Sequence, residues 1–403
     1  MKNNWEIKTL REVCEFRRGL TYSKKDEASL SKNAILRANN ITLAANTLNF
    51  DDIRYISDDV IIPQEKKLVK GSVMICTASG SRSHLGKVAF IDKDYDYAFG
   101  GFMGLLVPNS EIIDPKYFFV ILTSGQFRDH INSLTSGANI NNLKFSQIKD
   151  YQVTVPPLLE QKRIVGILDE KFKAIEELKK VTEAQIQDAK ELFESRLSEV
   201  FENKARDWSN AKLFDYIKFI DYRGRTPKKT KSGIKLITAK NIKKGYLQND
   251  PEEFIACNDY EAWMTRGIPL KGDILFTTEA PLGNVAKLDT DEKVAFAQRT
   301  IIFQMDRKIF DPGFLFYLLL SKPFQTNILG QATGATVLGI KSSLLKKIEI
   351  SFPKSLDKQK LIFLELYELS EKKDSLEKVF LKKIQDLDEL KKSYLEQAFE
   401  GKL

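Results

Sequence analysis

Ile167-Leu168-Asp169-Glu170-Lys171-Phe172-Lys173-Ala174-Ile175-Glu176-Glu177-Leu178 opens a stretch that runs to Arg223 without a glycine or a proline. A second such stretch runs from Lys354 to Glu400. Prolines stand before both, at Val155-Pro156-Pro157 and Ser351-Phe352-Pro353. Ile164, Leu168, Phe172, Ile175, Leu178, Thr182, Ile186, Ala189, Phe193, Leu197 and Val200 recur at the α-helical period. Ile362, Leu366, Leu369, Leu376, Phe380, Ile384, Leu387, Leu390, Tyr394 and Ala398 do the same. The opposite faces are rich in Lys and Glu, whose pairs read as solvated surface charge. At about 1.5 Å per residue, forty-odd residues make a rod of roughly 60 Å. That is longer than a small domain is wide, so most of each stripe must meet another rod. An antiparallel pair within the chain is the economical solution, because each helix begins where a globular unit ends. Pairing between two chains is the alternative.

What precedes each helix also repeats. Ile35-Leu36-Arg37-Ala38-Asn39-Asn40-Ile41 matches Leu236-Ile237-Thr238-Ala239-Lys240-Asn241-Ile242. Lys70-Gly71-Ser72-Val73-Met74-Ile75-Cys76-Thr77 matches Lys271-Gly272-Asp273-Ile274-Leu275-Phe276-Thr277-Thr278. Leu85-Gly86-Lys87-Val88-Ala89 matches Leu282-Gly283-Asn284-Val285-Ala286, and Asp114-Pro115 matches Asp311-Pro312. The offset stays near 200 residues throughout, which marks a tandem duplication. One unit reads as mixed α and β. Ser72 to Cys76 and Asp273 to Phe276 read as buried strands, and Lys87 to Ile91 and Val294 to Ala297 read similarly. Pro115 and Pro312 suit the first turn of a helix. A strand-like segment closes each unit, at Tyr151 to Val155 and at Lys347 to Phe352.

The chain has 403 residues and a net charge of +8. Residues 1–155 carry 20 basic and 17 acidic side chains, and residues 207–353 carry 22 and 16. The helical segments 156–206 and 354–403 carry 10 against 11 and 11 against 11. The surplus positive charge therefore lies in the globular units, and a polyanionic partner for them follows. The three cysteines, Cys14, Cys76 and Cys257, form no CxxC pair, so neither a disulfide framework nor a zinc site is suggested, and a reducing cytoplasm is expected. No apolar core follows Met1, since Lys2, Asn3 and Asn4 come first, so a signal peptide is not expected, and no apolar run is long enough to span a bilayer.

Val155-Pro156-Pro157-Leu158-Leu159-Glu160-Gln161-Lys162-Arg163-Ile164-Val165 resembles the first conserved region of the DNA-specificity subunit of type I restriction-modification systems. Leu390 to Leu403 resembles the end of that family's second conserved region. The resemblance covers the whole chain. One departure is visible: the second copy, Phe352-Pro353-Lys354-Ser355-Leu356-Asp357-Lys358-Gln359, has a single proline and an inserted residue.

The resemblance implies an α+β chain. Two similar mixed α/β target recognition domains, 1–155 and 207–353, would be separated by two long antiparallel helices, within 156–206 and 354–403. The helices would form an intramolecular coiled coil with pseudo-two-fold symmetry. Each domain would read one half of a bipartite, asymmetric target in double-stranded DNA, with half-sites ~34 Å apart. The helices would set the spacing and dock two modification (adenine-N6 methyltransferase) subunits, joined by restriction (motor-nuclease) subunits. The subunit itself would be non-catalytic and would bind no cofactor. S-adenosylmethionine, ATP and Mg are expected on the partner subunits, in the cytoplasm and away from any membrane.

The residues agree. Only two histidines are present, no His-Cys cluster has metal spacing, and the Asn/Asp-Pro-Pro-aromatic tetrad of amino-methyltransferases is missing. Phe99-Gly100-Gly101-Phe102-Met103-Gly104 reads as a turn beside a strand, not as a cofactor loop. A single-chain restriction enzyme or adenine methyltransferase and a helical protein-binding scaffold are the alternatives. The first predicts activity without partners, the second no salt-dependent DNA binding.

DNA binding needs cations for phosphates and planar hydrogen-bonding groups for base edges. Tyr222, Arg223, Arg225, Thr226, Lys228 and Lys229 lie in the most basic segment, read as a loop between a helix and a strand. Arg17, Arg18, Tyr22, Lys24 and Lys25 are the counterparts in the first unit. A second candidate is the loop after the central strand, with Ser79, Ser81, Arg82 and His84 in one unit and Thr278 and Glu279 in the other. A third is the Gly-Ala loop, with Asn139, Asn141 and Lys144 against Thr336 and Lys341. Asn and Gly there are equally apt as plain turn formers. Lys240 and Lys243 complete the set.

Overall fold

The computed structural model describes residues 4–42, 45–81, 84–135, 142–224, 226–297, 299–334 and 337–403. Each long stripe forms one unbroken helix of 45 residues, Leu158–Glu202 and Leu356–Glu400. The first helix starts ahead of Gly166, whose missing side chain faces open space. It also stops well short of Arg223. Trp208–Lys212 pairs instead with Glu349–Pro353 as an antiparallel ribbon, so strand pairing overrides a locally helix-compatible sequence.

The contacts divide the chain into two units: residues 1–182 with 382–403, and residues 183–381. In the first unit a four-stranded antiparallel sheet runs Cys14–Arg18, Met103–Pro108, Val73–Cys76, Val88–Phe90. A second sheet runs Tyr97–Phe99, Asn33–Leu36, Arg54–Ile56, Glu27–Ala28, its first pair parallel. Glu6–Thr9 pairs with Gln152–Val155 and ties the two ends of the globule together.

The second unit repeats every one of these pairings. Its main sheet runs Ile217–Asp221, Thr300–Met305, Ile274–Thr278, Leu282–Lys287. Its smaller sheet runs Val294–Phe296, Ile234–Ile237, Phe254–Ile255, Lys229–Thr230. The sequence repeat is therefore a repeat of topology. Val88–Phe90 and Val294–Phe296 are both strands, as their composition suggests, but they are not counterparts. The first edges a main sheet, and the second edges a smaller one.

Within each unit the long helices run antiparallel, inside one chain. In the first unit Lys391 meets Glu176 (3.1 Å) and Lys179 meets Asp388 (2.5 Å). In the second, Lys190 meets Glu377 (2.8 Å) and Arg196 meets Glu365 (2.6 Å). The beginning of one helix and the end of the other pack on each globule. Ile164, Val165, Leu168, Leu395 and Ala398 join the first core, and Leu197, Phe201 and Leu366 the second. The stripes are wider than a two-helix seam can cover. Leu178, Leu376 and Leu390 remain 46%, 45% and 41% exposed.

Each globule is fastened to the helix that follows it by one glutamine. Gln161 is fully buried, and its amide donates to the carbonyls of Ile112 (3.1 Å) and Pro156 (2.7 Å). Gln359 repeats this on Ile309 and Pro353, both at 2.8 Å. The residue inserted before the second helix is thus absorbed ahead of Leu356, and the anchoring glutamine keeps its place. Pro115–Thr123 and Pro312–Leu320 are the short helices expected from their prolines. Asp114 and Asp311 cap them by accepting from two backbone N–H groups each.

Candidate nucleic-acid interface

At one end of each main sheet, three loops are held together by backbone hydrogen bonds. In the first unit the Phe102 carbonyl accepts from the N–H groups of Thr77 (2.9 Å) and Ala78 (3.1 Å). The Thr77 carbonyl accepts from Leu143 N–H (2.6 Å), and Ala78 bridges to Asn142. In the second unit the Arg299 carbonyl accepts from Thr278 N–H (3.0 Å), the Thr278 carbonyl from Ile340 N–H (3.0 Å), and Glu279 bridges to Gly339. The turn before Met103–Pro108 or Thr300–Met305, the loop after Val73–Cys76 or Ile274–Thr278, and the segment Asn142-Leu143 or Gly339-Ile340 are therefore one cluster, built twice.

The basic loop of the first unit joins this cluster at its start. Gly19 N–H donates to the Met103 carbonyl (3.1 Å). A side chain at Gly19 would run into the Gly100 carbonyl, only 1.9 Å from where a Cβ would stand, so only glycine lets the loop cross that turn. In the second unit Arg223, Glu279, Thr333 and Lys341 line one shallow depression. The Arg223 loop follows a strand, Ile217–Asp221, and not a helix. It is secured by Arg266, whose Nη1 donates to the carbonyls of Asp221 (2.5 Å) and Arg223 (3.1 Å). Burial pushes the Asp221 carboxyl up, but the hydrogen bonds from the Arg223 side chain and backbone outweigh it and hold it below the usual aspartate range.

The exposed cations Arg18, Lys144 and Lys341 stand on these loops or at their edges. Several other candidates are spoken for. Arg17 is paired with Glu15 (2.7 Å), Arg223 with Asp221 (2.6 Å) and Lys229 with Glu253 (2.7 Å). Ser79 and His84 are half-buried on the central-strand loop beside exposed Ser81. Lys24 and Lys25 are exposed on a separate turn next to the smaller sheet. Thr226 and Lys228 are exposed further along the Arg223 loop. Lys240 is exposed and Lys243 half-buried in the turn after Ile234–Ile237, whose next residue, Lys244, pairs with Glu194 (3.0 Å) on the long helix. Arg82, Asn139, Asn141, Arg225 and Thr336 lie outside the described residues.

Two candidates are corrected by burial, and a third, Tyr22, is partly covered. Tyr222 is 1% exposed, and its hydroxyl donates to the Gly267 carbonyl (2.9 Å) and accepts from Arg266 N–H (3.1 Å). Its ring belongs to the core. Thr278 is 2% exposed and acts through its backbone. Tyr22 is half-buried against the small core of Ile35, Ile56 and Ala98. Phe102 and Arg299 have no sequence signal, because they sit in or beside turns with no charge run. Their equivalence becomes visible only through the shared hydrogen bonds.

Among the described residues, no group of three or more His, Cys, Asp and Glu is gathered to hold a metal ion. No described helix is long and apolar enough to cross a membrane.

The chain matches the family described as type I restriction modification DNA specificity domain twice, over residues 2–187 and 190–386. It is 26% identical over 292 residues to the EcoKI specificity subunit of Escherichia coli, covering 69% of this chain. It is 30% identical over 172 residues to the StySPI specificity subunit of Salmonella potsdam, covering 42% of this chain. These matches span 62% and 36% of the relatives, less than two thirds of either. A putative specificity subunit of Methanocaldococcus jannaschii, MjaX, is 24% identical over 99% of this chain and 94% of its own length. Among solved structures, a chain from a study of complex assembly in the type I R-M system superposes over 100% of this chain and 99% of its own, with a TM-score of 0.80 at 17% identity. The HsdS subunit of Thermoanaerobacter tengcongensis does so over 100% and 98%, at 0.61 and 17%.

Proposed function

The chain belongs to the type I restriction-modification DNA specificity family, and from that premise we propose that it is the non-catalytic subunit that gives such a complex its target. Each globular unit reads one half of a split, asymmetric sequence in double-stranded DNA. One observation carries this reading: the same loop cluster stands in both units, with different side chains in the same frame. Lysine recurs at the equivalent positions Lys144 and Lys341, as a phosphate contact should. Ala78 and Asn142 of one unit are replaced by Glu279 and Gly339 in the other, as groups facing different bases should be.

Two modification subunits dock on the long helices and the flanks of the units, and restriction subunits join them. The apolar residues left on the helices support this reading: Leu192, Leu361 and Val379 are 63%, 66% and 61% exposed. S-adenosylmethionine, ATP and Mg are bound by those partners, and the assembly works in the cytoplasm, where its DNA is. Co-expression with a modification subunit, followed by mapping of methylated adenines, tests the whole reading. Exchange of residues 1–155 for the matching domain of another family member changes one half of the methylated target and leaves the other intact. A change in both halves overturns it.

A further inference from the structure

We propose that one position, Phe102 in the first unit and Arg299 in the second, is the side chain with which each domain discriminates a base pair. This rests on the DNA-reading function above and names residues within it. The two occupy the same place in the same frame. Each immediately precedes an inner strand of the main sheet, Met103–Pro108 or Thr300–Met305, and Met103 pairs with Cys76 as Thr300 pairs with Thr277. Each offers its carbonyl to the threonine that follows, Thr77 or Thr278. The backbone is thereby fixed where the loops meet, and the side chain is exposed there.

Phe102 is not packed into the fold, and among the described residues Arg299 pairs only through Nε, with a glutamate of the same loop cluster. Phe102 is 73% exposed, although a phenylalanine in this unit has an apolar core available a few residues away. Arg299 is held at φ 71°, a left-handed conformation that side chains other than glycine, asparagine and aspartate rarely adopt. Its Nε meets Glu279 Oε1 at 3.0 Å. That contact orients the guanidinium and leaves the edge with the two terminal amino groups for an acceptor pair. Such strain at a surface position points to function and not to stability.

The chemistry assigns the ligands. A guanidinium fixed through Nε matches O6 and N7 of guanine in the major groove. An exposed aromatic ring on the loop cluster that also carries the exposed cations Arg18 and Lys144 matches the methyl group of thymine, an apolar contact. The units then differ at this position by guanine reading against thymine reading.

The test is selection of bound duplexes from a randomised library, using the full chain assembled with its modification subunits. Wild type is compared with Arg299→Ala, Arg299→Lys, Arg299→Gly and Phe102→Ala. Arg299→Ala is expected to lose discrimination at one G·C pair by ~10–100-fold and to keep the rest of both half-sites. Arg299→Lys, without the planar fork, falls between. Phe102→Ala relaxes one A·T pair in the other half-site. Arg299→Gly relieves the backbone and raises the thermal midpoint by ~2 °C while abolishing that discrimination, a combination that a structural arginine would not give. An unchanged preference in Arg299→Ala, or a uniform loss over all sequences, overturns the assignment alone. A wild-type complex that enriches no sequence overturns the DNA-reading function, and this assignment with it.

Discussion

Gln161 accepts a hydrogen bond from the backbone N–H of Asp114 at 2.7 Å, across 47 residues of sequence. Asp114 in turn caps the helix that begins at Pro115. One buried amide therefore joins the start of the long helix, the start of a core helix and the end of the closing strand. Gln359 does the same with Asp311 at 2.9 Å.

Replacing Gln161 by Leu leaves the Asp114 N–H and the Ile112 and Pro156 carbonyls without their partner in a site closed to water. The expected loss is ~3 kcal/mol of stability, measured by chemical denaturation. Gln359→Leu should cost a similar amount. A neutral result for both would show that the fastening is not energetic.

The ion pairs along the helices should contribute little by comparison. Asp388 is 54% exposed opposite Lys179, so Lys179→Ala is expected to cost under ~1 kcal/mol. Leu366 is fully buried against the second globule, and Leu366→Ala should cost ~2–5 kcal/mol. The same denaturation series orders the two effects.

Asp273 provides a pH signature. Burial pushes its carboxyl above the ordinary value of 3.8, against the hydrogen bonds from Leu270 N–H and Gln304. The folded state therefore holds this proton to higher pH than the unfolded state does. Its contribution to stability is fullest below pH ~3.8 and falls as pH rises through the folded value. Asp273→Asn keeps the acceptor and has no proton to lose. Its stability relative to wild type should rise over that window and then level off, as read from denaturation midpoints between pH 3 and 8.

Lys144 and Lys341 differ in kind from the base-facing groups. Alanine at either should weaken binding to all duplexes about equally. Each change should also lower the slope of log K against log salt by about one. A sequence-dependent loss would move them from phosphate contacts to base contacts.

The duplication and the rods were legible in the sequence because both are periodic, and periodicity survives substitution. The anchoring role of Gln161 and Gln359 was not legible, since the partners that join them to the globules, Ile112 and Ile309, lie 49 and 50 residues away. The helix end at Glu202 was not legible. Nothing near Asn203 breaks a helix, and it is the distant strand Glu349–Pro353 that claims Trp208–Lys212. The basic loops were legible as charge, but exposure is a tertiary property. Tyr222 sits in the most basic segment and is buried, and its hydroxyl donates to the Gly267 carbonyl and accepts from the Arg266 N–H, more than 40 residues on. Phe102 and Arg299 carry no local signal at all. Only the pairing register of Met103–Pro108 and Thr300–Met305 shows them to be the same position.

Residues 382–403 complete the core that residues 1–182 begin, whereas the other unit is assembled from one uninterrupted segment, 183–381. Synthesis from the N-terminus therefore delivers the two in reverse order of completeness. The surface formed by Tyr117, Ile164 and Leu168 waits on the ribosome for Leu395 and Ala398 to emerge, while the later segment already holds all its own partners. Until the final turns arrive, that waiting apolar face is the part of the nascent chain most in need of a chaperone.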